Sequence, residues 1–261
     1  ILGELGRHEE ELQAYEQAIK INPKYLDAWN NKGIVLGELG RHEEALQVFE
    51  NAIKINPKYA EAWHNKGELL YLLGAHKAAN KMVNRVLAIN KNFIEAYMLK
   101  GKIEISVGNF TEAHSNFINA KRIGPQSIPA NFWIIYCKYL QLSQIYPKEE
   151  KQKREDNPAY QKQIHSIIFD LQRTIKTFRD KIRNMYGDDT MAEIYYWLGV
   201  LYFKINDLIS AKESLEESLE LNTNCAKAKE LLDHIWNSRI RPSWWRWWFF
   251  SPEHLNRFIK Q

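Results

Sequence analysis

The words LGELGRHEE and AIKINPKY, at residues 2–10 and 18–25, recur 34 residues later at 36–44 and 52–59. A period near 34 implies stacked two-helix hairpins, because a unit of that size cannot bury its own apolar face and must cover its neighbour's. Such an array grows by addition without a central core, so the length of 261 residues does not count domains in the ordinary way. The chain opens at Ile1, part-way through a repeat, which implies a segment of a longer protein.

With Leu26 as position 1, units run over 26–59, 60–93 and 94–127 without a gap, and residues 1–25 supply the second half of an earlier one. Trp29, Trp63 and Tyr97 share position 4; Gly33, Gly67 and Gly101 share position 8; Ala45, Ala79 and Ala113 share position 20. Glycine inside a helix costs about 1 kcal/mol relative to alanine. Its return at position 8 therefore predicts that another backbone approaches there, with the alanines as the matching small surface. Gly40, Gly74 and Gly108 at position 15, and Asn206 in a later unit, suit the left-handed residue that ends a first helix and lets the second turn back. Pro23, Pro57 and Pro125 follow the second helices, where a missing amide hydrogen stops them.

A large aromatic, two small residues, a turn glycine and a terminal proline at these offsets resemble the tetratricopeptide repeat family. The resemblance covers residues 1 to about 127 and returns at 192–225, where Tyr195, Gly199, Tyr202, Ala211 and Leu221 occupy matching places. It implies an all-α fold, a right-handed helical-hairpin solenoid. The chain departs from the pattern at Glu11 (position 20), at Lys91 in place of proline, and at Lys32, Lys66 and Lys100, where an apolar residue is usual. Those three lysines predict stems laid along the hairpin with ammonium ends in water.

Between the repeats, residues 128–191 read as an enlarged, divergent hairpin. Residues 128–146 are apolar all round, with Phe132, Trp133, Ile135, Tyr136, Tyr139 and Leu140, as a buried helix would be. Residues 148–157 form a charged run before Pro158, read as an exposed loop. Ile164, Ile167, Ile168, Leu171, Ile175, Phe178 and Ile182 then recur at helical spacing, predicting one amphipathic helix over 160–185. A further repeat over 192–225 is followed at 226–237 by a helix with Lys227, Lys229, Glu230 and Asp233 on its polar side, suited to capping a terminal unit. Residues 238–261 are an aromatic, basic tail in which six of the seven residues from 244 to 250 are aromatic.

Net charge is +4, from 36 basic and 32 acidic residues, too balanced to argue for nucleic acid as a partner. The excess sits in two places: residues 148–186 hold ten Lys or Arg against six acids, and 238–261 hold five against one. Cys137 and Cys225 lie far apart inside helical patterns, as buried thiols of a reducing, cytoplasmic compartment would. His8, His42 and His76 are spaced by 34. Equivalent positions of adjacent repeats stand roughly 10 Å apart, whereas zinc holds ligands at about 2 Å. No metal, cofactor or catalytic constellation is implied: no nucleophile elbow, phosphate loop or ligand-spaced Cys or His pair occurs.

The family resemblance places positions 2, 5, 9 and 12 of each unit on a concave groove. These are Asp27, Asn30, Ile34 and Gly37; then Glu61, His64, Glu68 and Tyr71; then Glu95, Met98, Lys102 and Ile105. The Lys and Asn set with which some family members grip a C-terminal carboxylate is absent. In the last unit the groove residues Glu193, Tyr196, Val200 and Phe203 are mostly apolar, so something should cover them, and the helix over 160–185 is the preferred cover. The tail residues Trp244, Trp245, Arg246, Trp247, Trp248, Phe249 and Phe250 suit packing on the capping helix, a membrane interface, or a partner or single-stranded nucleic acid. Two readings follow: a non-catalytic scaffold that binds a peptide or helix of a protein partner in the groove, and a membrane-proximal adaptor anchored through the tail.

Overall fold

Each first helix ends on a residue at positive φ: Gly40 at 75°, Gly74 at 76°, Gly108 at 83° and, as the only non-glycine so placed among the described residues, Asn206 at 61°. The hydrogen bonds there are a Schellman pair. Gly40 N–H donates to the Gly37 carbonyl (3.0 Å) and Arg41 N–H to that of Leu36 (2.8 Å), and the pattern repeats at Gly74 with Ala75, Gly108 with Asn109, and Asn206 with Asp207. The connections between units are just as regular. Asn22, Asn56, Asn90 and Asn222 each accept, on the side-chain oxygen, the backbone N–H two residues on, at 2.8–3.1 Å. That turn survives at Lys91, where proline is missing.

The computed structural model describes residues 2–145 and 157–237, with side chains over 7–145 and 157–235. They are helices and short turns: α1 (Leu2–Ile21), α2 (Leu26–Glu38), α3 (His42–Ile55), α4 (Ala60–Leu72), α5 (His76–Ile89), α6 (Ile94–Ser106), α7 (Phe110–Ile123), α8 (Ile128–Ile145), α9 (Pro158–Lys204), α10 (Leu208–Leu221) and α11 (Ala226–Asn237). The chain divides into two compact units, Ile1–Ser127 and Ile128–Gln261.

In the first unit α2/α3, α4/α5 and α6/α7 are antiparallel hairpins, and each second helix also packs on the next first helix. Ala45, Ala79 and Ala113 are fully buried. What meets the position-8 glycines is chiefly side chain, which corrects the expectation of a second backbone. A Cβ on Gly33 would lie 2.5 Å from the Phe49 ring, and one on Gly101 the same distance from Phe117. The helices close on a large residue that occupies the space a glycine leaves empty.

In the second unit α9 is two helical limbs joined at Gly187, whose φ of 80° and ψ of 177° break the helix. Asn157 caps its start, accepting from the N–H groups of Ala159 and Tyr160 at 2.9 and 3.3 Å, with Pro158 in the first turn. The first limb packs its isoleucine stripe on α8 in one core with Phe132, Ile135, Leu142, Ile194 and Leu198. Arg179 reaches Glu217 on α10 at 2.7 Å. α8 and the first limb of α9 thus share a core, and the same limb reaches α10 of the repeat that follows.

Candidate partner-binding groove

α2, α4 and α6 lie side by side, so their positions 2, 5, 9 and 12 run as a strip across three repeats. Two of the three lysines at position 7 point away from it. Lys32 meets Glu16 on α1 at 2.7 Å and Lys66 meets Glu50 on α3 at 2.5 Å, with each lysine side chain 19% exposed. The ammonium ends were expected in water, and they reach carboxylates of the preceding second helix instead.

His64 is at the middle of the strip. Its ring centroid is 5.3 Å from that of Phe93, and its Nε2 is 4.0 Å from the Glu68 carboxylate. Burial holds the imidazole below its ordinary range; Glu68, Glu95 and Glu61 oppose that shift and Lys102 adds to it. Ile34 and Glu68 are exposed, while Tyr71, Met98, Lys102 and Ile105 are half-buried. Tyr71 also packs its ring 5.5 Å from that of His76 in the hairpin turn.

Asn30 is not open. It is 7% exposed, and its side-chain oxygen accepts a 2.8 Å hydrogen bond from Asn65 of α4. An amide squeezed between two helices needs such a partner. Asn65 is a residue that the repeat positions alone do not single out, as are Tyr59, whose hydroxyl donates to Asp27 at 2.8 Å, and Phe93. The aromatic at position 34 in three successive units, Tyr25, Tyr59 and Phe93, is the signal that could have found the last two.

Tyr196 and Phe203 need correction as groove residues. They are 4% and 5% exposed, in a core with Val200, Leu215, Ala228 and Leu231. The cover is α11 rather than the 160–185 helix: Leu232 and Ile235 pack on this core, and Phe203 stands 5.8 Å from His234, edge to face. An apolar first-helix face is covered by the next helix in line, as in any inner repeat. An apolar cavity of about 50 Å³ lies between α8 and both limbs of α9, among Phe132, Ile135, Leu171, Ile194 and Leu201.

Trp244, Trp245, Arg246, Trp247, Trp248, Phe249 and Phe250 lie outside the described residues, as does 148–156 of the charged run. No helix among the described residues is long and apolar enough to cross a membrane. Nor do three His, Cys, Asp or Glu side chains among them gather as metal ligands would. Cys137 is fully buried, which pushes its thiol up to about 12.

A comparison with curated proteins finds no match. Among solved structures the chain is similar to YrrB, described as a TPR protein with an unusual peptide-binding site: TM-score 0.57 at 15% identity, covering 85% of this chain and 99% of that one. It is similar also to MamA 41-end from Desulfovibrio magneticus RS-1, with TM-score 0.57 at 16% identity, covering 77% and 96%. A chain of the APC/C hetero-tetramer Cut9-Hcn1 gives TM-score 0.60 at 16% identity, covering 92% of this chain and 42% of that one. These likenesses carry the all-α, right-handed helical-hairpin solenoid. Three sequence profiles, each described as tetratricopeptide repeat, match residues 36–103, residues 14–47, and residues 1–25 with 192–225. By its repeats and its fold, the chain belongs to the tetratricopeptide repeat family.

Proposed function

We propose that this chain is a non-catalytic interaction scaffold that takes a peptide or helix of a protein partner across α2, α4 and α6. The observation that carries the reading is the state of that strip. Ile34 and Glu68 are open and Tyr71, Met98 and Ile105 half-open, whereas the equivalent face of the last repeat is filled by α11. The likeness to YrrB, a TPR protein with a peptide-binding site, supports it at the level of the fold.

The test is a cross-linked pulldown with a His64→Ala/Tyr71→Ala/Met98→Ala variant and a milder Ile34→Ser/Glu68→Ser variant, each checked for helix content by circular dichroism. Both should lose partners that the parent chain recovers. Unchanged partners with the fold intact would contradict the assignment. A second reading rests on the composition of Trp244, Trp245, Arg246, Trp247 and Trp248: attachment to a membrane surface through the tail. Vesicle flotation with and without residues 243–261 decides it, and no lipid association of either form would sink it.

A further inference from the structure

The strip is not uniform from end to end. Asp27, Glu61 and Glu95 occupy one position in three successive repeats, all exposed, in the first turns of α2, α4 and α6. Helices in contact lie 8–10 Å apart, so the carboxylates form a row with about that spacing. No cation among the described residues pairs with them. Asp27 accepts only the neutral Tyr59 hydroxyl, and Lys32 and Lys66 are held by Glu16 and Glu50. Glu68 adds a fourth exposed carboxylate, against Lys102 as the cation whose charge acts on His64.

About 15–16 Å away, ten or eleven residues along the same helices at roughly 1.5 Å each, the character changes. Tyr71 and Ile105 are half-buried there, Leu72 is 62% exposed, and Leu73 and Val107 just beyond are 47% and 52% exposed. One edge of the face is acidic and the other apolar.

We infer, resting on the groove reading, that the occupant is a basic, amphipathic peptide segment. Its Lys or Arg side chains lie over Asp27, Glu61 and Glu95, and its apolar side chains lie toward Tyr71, Leu72 and Ile105. The row also fixes the spacing of the cations. A polyproline-type chain advances about 9 Å in three residues, which is one turn, and an α-helix about 10 Å in seven; in each case the side chains return to the same side. The cations should therefore recur every third residue in an extended ligand or every seventh in a helical one. Acids in a first turn also favour the helix dipole, a role that moves stability and not ligand choice.

The experiment is selection of random 15-residue peptides on phage against the full chain, repeated with an Asp27→Asn/Glu61→Gln/Glu95→Gln variant and with Tyr71→Ala/Leu72→Ser. Melting curves are recorded for each. Peptides selected on the parent should be rich in Lys or Arg at one of the two spacings. They should bind the carboxylate variant at least tenfold more weakly at matched melting temperature, and weaken as salt rises from 50 to 300 mM. Peptides that depend on Tyr71 and Leu72 but carry no excess of cations, and bind the carboxylate variant equally, would overturn this inference and leave the groove reading standing. Peptides indifferent to both variants would overturn both.

Discussion

Lys66 Nζ on α4 lies 2.5 Å from the Glu50 carboxylate on α3, and Lys32 on α2 stands in the same relation to Glu16 on α1, at 2.7 Å. The lysine is sixteen residues after its partner in both cases, so the contact follows the repeat and ties α2 and α4 to the second helix before each. The same offset from Lys100 arrives at Asn84. Asn84→Glu should add a third rung and raise the unfolding free energy by about 0.2–1 kcal/mol. The gain should shrink in 1 M salt, and urea unfolding of the variant beside Asn84→Gln measures it.

Two glycines of α2 should respond oppositely to a single methyl group. Gly33→Ala places Cβ 2.5 Å from the Phe49 ring. Overpacking of about 1–3 kcal/mol then outweighs the roughly 1 kcal/mol of helix propensity gained, and the variant is less stable. At Gly37, in the last turn of α2, an added Cβ would meet nothing within 4 Å, so Gly37→Ala should stabilise by about 0.5–1 kcal/mol. Thermal unfolding of the two variants reads the signs directly.

His64 makes the fold sensitive to acid. Burial holds its folded-state pKa below the ordinary 6.5, against Glu68, Glu95 and Glu61 and with Lys102. The unfolded chain takes up the proton first as pH falls, so stability declines below pH 6.5 until the folded state also binds it. Denaturant curves at pH 7.5 and 5.5 should show that decline, and His64→Gln should reduce it.

Leu231, 1% exposed on α11, seals the core that holds Tyr196 and Phe203. Leu231→Ala should cost about 2–5 kcal/mol locally. Faster amide exchange in the second limb of α9 and in α10 would register the loss.

The periodic part of the molecule was legible because each signal is a local backbone demand: position 15 must take positive φ, and Asn206 meets it as the glycines do. Context decided the rest. LGELGRHEE forms a turn between α2 and α3 but is continuously helical at 2–10. Position numbers likewise say nothing of how deep a side chain lies. Asn30 sank because Asn65 pairs with it, and Tyr196 and Phe203 because an apolar face drew α11 over it. Packing partners from the next repeat settle exposure, and a one-repeat pattern does not contain them.

The central claim, that the strip of first helices meets the partner, is tested most directly by site-specific photo-crosslinking. A benzophenone amino acid is placed in turn at Ile34 and Glu68 on the strip and at Lys54 and Ala88 on the exposed sides of α3 and α5. Crosslinks to a protein partner from Ile34 and Glu68, with none from Lys54 and Ala88, are the predicted result. Crosslinks from the second helices alone would contradict it.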